Sequence, residues 1–175
     1  MEQRWTLLIY TVPSQPSRKR ATVWRELKKL GAVYLRDGVA VLPAMPETTA
    51  ALRRIAAAVA EFDGLATVVA AAQLDEQRSA TLIAQCTAER AAEYAEAIRE
   101  AETLLAYVAR EAEHRAFTRD ELATLERDVG KLTQWATQIR ARDYFMAGPP
   151  GELTALFTRC ERQLGALLAT ALNRP

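Results

Sequence analysis

Strand-forming runs are confined to the first 72 residues of this chain, and nothing after Asp75 has the pattern of a strand. That change of period constrains the fold more than any other feature, because alternation by two and recurrence by three or four build different elements. A chain so divided carries a sheet in its N-terminal part and helices alone after it.

Within the first part, residues 5–12 (WTLLIYTV) are almost continuously apolar, as expected for a strand buried on both faces. Pro13 and Pro16 mark a turn, and Pro16 or Ser17 suits the opening of a helix. In that helix Val23, Leu27 and Leu30 recur at helical spacing, and Gly31 is a natural terminator. AVYLRDGVAVLP then has the form of a hairpin through Asp37-Gly38, a pair that favours a type I′ turn. Pro46-Glu47 opens a second helix with Leu52, Ile55, Ala56 and Val59 as its buried stripe. It stops near Asp63-Gly64, and residues 65–72 form a last strand. The order βαββαβ predicts an α+β, ferredoxin-like arrangement over residues 5–73, with four antiparallel strands and both helices on one face.

From Asp75 onward, Leu82, Cys86, Tyr94, Ile98, Ala101, Leu105 and Val108 line one long, alanine-rich helix. The capping box Thr118-x-x-Glu121 starts another, with Leu122, Leu125, Val129, Leu132, Trp135, Ala136 and Ile139 as its stripe. AGPPG, residues 147–151, breaks the chain. A third helix is expected to carry Leu153, Leu156, Phe157, Cys160, Leu164, Leu167 and Leu168. The expected division is a ferredoxin-like α+β domain over 1–74 and an all-α hairpin or bundle over 75–175, packed on or swapped with a neighbour.

Length and composition are ordinary for a globular chain: 175 residues, half of them apolar and 26% charged. No apolar run is long enough to cross a membrane. The first five residues lack the layout of a secretory signal. Cys86 and Cys160 are far apart and not in a metal-ligand spacing, so a reducing cytoplasm is the expected compartment.

Catalytic groupings are not expected. The single histidine, His114, lies among charges near a helix end and reads as a solvated residue. Cys86 and Cys160 fall on apolar stripes, where cysteine acts as a small hydrophobe. Glu89, Glu93, Glu96 and Glu100 are spaced like a solvated helix face, with Arg90 and Arg99 as partners. There is no glycine-rich phosphate loop, and neither a metal site nor a cofactor is predicted.

The informative anomaly is electrostatic. The net charge of +1 conceals eight basic against three acidic residues in the first forty. Arg18, Lys19 and Arg20 crowd the start of the first helix, where the helix dipole already places partial positive charge. At about 100° per residue, Arg18, Arg25 and Lys29 share a line opposite Leu27, and Lys28 flanks it. An anion near Ser17, Arg18, Lys19, Arg20, Arg25, Lys28 and Lys29 would relieve the penalty. Trp24 lies near the edge of the apolar face and is expected in the core, the shaping of a groove being the other reading.

The residues also resemble a known family. LLIYTVPSQPSRKRATVWRELKKLGAVYLRDGVAVLP is similar to the start of the chromate-resistance regulator family ChrB. The likeness continues through LDEQR, ERAAEYAE, FTRDELATLERDVGKLTQWATQIRARDYF and RCERQL. A weaker likeness links the first stretch to the central domain of PaaX-type repressors and, through it, to the ferredoxin-fold nucleases of CRISPR adaptation. The resemblance implies a cytoplasmic, chromate-responsive transcriptional regulator whose N-terminal part contacts DNA and whose separate C-terminal domain serves sensing or resistance. That second domain is not expected in a chain ending at Pro175. No helix-turn-helix precedes Trp5, so DNA contact is not assigned to a recognition helix of that kind. The nucleases, by resemblance, keep a metal-binding aspartate at the end of the first strand, where this chain has Thr11, so nuclease activity is not expected.

Four readings follow. The leading one is a DNA-binding, homodimeric regulatory domain whose first helix meets phosphates. The others are an oxyanion module for chromate or sulfate without DNA, a metal-dependent nuclease, and a dimerising interaction scaffold.

Overall fold

The structure, a computed structural model, describes residues 3–15, 17–114 and 117–148, and beyond these 151, 154–156, 158–160, 162, 165, 166 and 169; the side chain of His114 lies outside this set. The elements are β1 (Trp5–Thr11), α1 (Ser17–Lys29), β2 (Val33–Arg36), β3 (Val39–Pro43), α2 (Pro46–Glu61), β4 (Leu65–Ala72), α3 (Glu76–His114) and α4 (Arg119–Ala141). The chain forms two compact units, residues 1–88 with 142–146, and residues 89–141 with 147–175. The packing therefore does not divide where the secondary structure does: α3 gives its first part to one unit and the remainder to the other.

In the first unit the four strands form one antiparallel sheet in the order β2-β3-β1-β4. This is the ferredoxin-like α+β arrangement predicted by the element order. Leu8 and Tyr10 of β1 face α1 and α2, where Val23, Leu27, Leu52, Ile55 and Val59 close a core over Ala40 and Leu42. Burying a leucine or valine there stabilises by about 1.5–3 kcal/mol each. Trp5 and Leu7 point to the opposite face, into a smaller cluster with Val33, Val41, Leu82, Cys86 and Phe145.

Burial of β1 on both faces therefore holds only at its start. Ile9 is 44% exposed and Thr11 is exposed, because the second cluster stops at Leu7. Segment 142–146 returns to this unit: Phe145 tilts against Trp5 with centroids 5.9 Å apart, and the Tyr144 hydroxyl donates to the Leu30 carbonyl at 2.9 Å.

The punctuation follows the residues. After α1, the Ala32 amide donates to Leu27 and the Gly31 amide to Lys28, with Gly31 at φ 70°. This is a Schellman ending, which glycine makes without strain. The Asp37-Gly38 turn differs from the type I′ expectation. Only Gly38 has positive φ (73°), and the β2–β3 register shifts between Tyr34 and Arg36. A type I′ turn needs both central residues left-handed. Gly38 is required for a second reason: a Cβ there would lie 2.6 Å from the Tyr10 carbonyl oxygen. β4 is an edge strand with a bulge opposite Thr6, where Ala71 takes φ 53°.

The second unit is helical in its described residues. Its core joins Tyr94, Ala97, Ala101, Leu105 and Val108 of α3 to Leu122, Leu125, Val129, Ala136 and Ile139 of α4, with Phe117, Leu156 and Cys160. The predicted capping box is formed: the Thr118 amide donates to Glu121 at 2.8 Å, and the Glu121 amide to the Thr118 hydroxyl at 3.3 Å. Of the third predicted helix, residues 154–156 and 158–160 are helical, with Leu156 and Cys160 buried; Leu153, Phe157, Leu164, Leu167 and Leu168 lie outside the described residues.

Arg90 corrects one expectation. It is only 6% exposed and pairs with Glu93 at 3.2 Å and Glu89 at 3.5 Å, so that stretch of α3 is not a solvated ladder. Burial of a guanidinium is tolerated here because carboxylates accompany it. Glu96 and Glu100 are exposed as predicted.

Candidate anion-binding helix and its cleft

α1 is an amphipathic helix with Val23 and Leu27 buried and no acidic residue in its first turn. The core grips one side, so the remaining side chains have their directions set by helical spacing. Arg18, Arg25 and Lys29 are all exposed along the outer line. Arg25 is held by its own helix, donating to the Ala21 carbonyl and the Thr22 hydroxyl at 3.3 Å each. Lys29 pairs with Glu26 at 2.7 Å. Lys28 is half-buried and itself engaged.

The three consecutive cations at the start of α1 go to three places. Arg18 points outward and forms no ion pair among the described residues. Lys19 reaches the end of α2, donating to the Phe62 carbonyl at 3.3 Å and meeting the Asp63 carboxylate at 3.4 Å. Its ammonium also lies 5.8 Å from the Phe62 ring centroid. A cation at a helix C-terminus is favourable, so part of the penalty read from the sequence is offset inside the fold.

Arg20 turns to the other flank of α1 and lines an open cleft of about 890 Å³. The facing wall comes from the end of β1 and the β2–β3 hairpin: Tyr10, Thr11, Tyr34, Asp37 and Gly38. Tyr10 and Tyr34 share a hydroxyl–hydroxyl hydrogen bond of 3.2 Å. Burial, reinforced by the Tyr10 hydrogen bond, pushes the Tyr34 phenol well above the usual tyrosine range, so its hydroxyl stays protonated beside Tyr10.

Trp24 also lines the cleft and is 52% exposed, which corrects its expected place in the core. At 100° per residue it lies about 60° beyond Leu27, too far round for the sheet to cover it. Sequence reasoning did not place Tyr10, Tyr34 or Asp37 in a site. Tyr10 is distant along the chain from Tyr34 and Asp37, and only the pairing of β1 with β3 and β3 with β2 brings them to one wall.

Ser17, Arg18, Arg20, Arg25, Lys28 and Lys29 thus spread over the outer and cleft flanks of α1, while Lys19 is turned to α2. Among the described residues no group of three or more His, Cys, Asp or Glu is placed to hold a metal ion, and no helix is long and apolar enough to cross a membrane.

The family model described as Protein ChrB, N-terminal, matches residues 20–170. The chain is 37% identical over 95 residues to Protein ChrB of Cupriavidus metallidurans, covering 54% of this chain and 29% of that protein. It therefore spans less than a third of the length of that relative. No solved structure matches it. With the family match running from the first turn of α1 into the helical part, the chain belongs to the family of ChrB N-terminal domains.

Proposed function

We propose that this chain is a cytoplasmic DNA-binding regulatory domain acting in chromate resistance, with α1 meeting the phosphate backbone and no catalytic step. The carrying observation is the outer line of α1, where Arg18, Arg25 and Lys29 are exposed opposite a buried Val23 and Leu27. Arginines on a rigid helix suit backbone phosphates, because the guanidinium fork donates to two oxygens at once. A homodimer completes the reading. β4 is an edge strand without a charged residue or proline, the kind of edge that accepts another strand.

The test is a binding assay on a chromate-resistance promoter with Arg18, Arg20 and Arg25 changed to alanine. The triple variant is expected to lose at least tenfold in affinity at low salt, and unchanged affinity would remove α1 from the interface. A second reading, an oxyanion module for chromate or sulfate, is favoured by the absence of any acidic residue in the first turn of α1. A rise in melting temperature on titration with those ions, without DNA binding, would select it.

A further inference from the structure

The cleft beside α1 has a composition that phosphate contact alone does not account for. A helix serving only as a backbone clamp needs cations, yet this one leaves a large indole half-exposed beside Arg20, which forms no ion pair among the described residues. Across from them stand the hydrogen-bonded Tyr10–Tyr34 pair and the Asp37 carboxylate. An exposed aromatic face, a cation, two tyrosine hydroxyls and a carboxylate within one cleft answer to a ligand with a flat ring, a negative charge and polar N–H or O–H groups. The volume of about 890 Å³ accommodates a molecule of that size.

We propose that this cleft is a nucleotide site: the base lies against the Trp24 indole, the phosphate meets Arg20, and the polar edge meets Asp37 and the Tyr10–Tyr34 hydroxyls. Stacking on an indole tolerates any base, because every base has a π-face. Arg20 neutralises the phosphate without first breaking an ion pair to any described residue, whereas Lys19 would have to leave Asp63 and the α2 terminus. The carboxylate at the opposite wall disfavours a bare inorganic anion, which offers it no donor, and favours a ligand carrying N–H or O–H groups. The nucleotide has two sources, a free mononucleotide or an unpaired nucleotide of a strand. In the second form the inference rests on the DNA reading above.

The test uses the whole chain, with adenosine and guanosine monophosphates, a short single-stranded oligonucleotide and inorganic phosphate as probes. Tryptophan emission and calorimetry report binding, and circular dichroism checks that each variant is folded. A mononucleotide or the oligonucleotide is expected to quench emission saturably, while inorganic phosphate does not. Trp24→Leu and Arg20→Gln should each weaken that binding at least tenfold, about 1.4 kcal/mol. Trp24→Phe, which keeps a stacking face, should retain most of it. Saturation by mononucleotide identifies a free ligand, and saturation by the oligonucleotide alone identifies a strand. If neither probe binds the folded wild-type chain, or if Trp24→Leu and Arg20→Gln bind as wild type does, the inference is overturned.

Promoter duplex measured in parallel separates the two claims. Nucleotide binding without duplex binding sinks the regulator reading and keeps the cleft. Duplex binding, with the cleft variants indistinguishable from wild type on both probes, does the reverse.

Discussion

At the residue scale, three neighbouring cations that look equivalent in sequence are separated by helical geometry. Each step of about 100° sends Arg18 outward, Lys19 to the end of α2 and Arg20 to the cleft. Lys19 is therefore a stabilising residue first. Lys19→Met should cost about 1 kcal/mol in urea unfolding, the worth of a cation at a helix C-terminus with its carbonyl contact. It should change DNA affinity less than Arg18→Ala does. The cationic line itself was legible because Arg18, Arg25 and Lys29 recur at seven and four residues. The inward turn of Lys19 was not, since it depends on where α2 ends. Nor was the exposure of Trp24, whose apolar character argued for burial while its angle on α1 decided otherwise.

At the element scale, hydrophobic period identified each strand and helix of the described residues, and punctuation at Gly31, Gly38 and Gly64 set their ends. What the period could not carry was coverage. β1 alternates between two cores only as far as Leu8; Ile9 beyond it, and Leu65 and Val69 of the neighbouring β4, are exposed. β4, at the edge, has a strand neighbour on one side alone among the described residues. If a second copy pairs there, Val69→Lys should convert the dimer to monomer in light scattering after gel filtration, since the two-fold axis would bring like charges together. An assembly unaffected by that change does not use β4.

At the scale of the whole molecule, the change of period marks where strands give way to helices, while the boundary between the two packed units falls inside α3. The stripe of α3 runs on without a break in spacing, with Leu82 and Cys86 serving the sheet unit and Tyr94, Ala101 and Leu105 the helical core. Segment 142–146 was equally silent, because aromatic residues in a short connection have no period to read. Phe145→Ala should nevertheless destabilise the sheet unit by about 2 kcal/mol, through lost packing on Trp5, in denaturant unfolding followed by tryptophan emission.

The central claim is that α1 meets nucleic-acid phosphates, and the salt dependence of duplex affinity tests it most directly. The logarithm of the association constant should fall linearly with the logarithm of salt concentration, by about 0.9 per phosphate contacted. Arg18→Ala with Arg25→Ala should make that slope shallower by about 1.8. An unchanged slope in the double variant, with binding intact, would contradict the account.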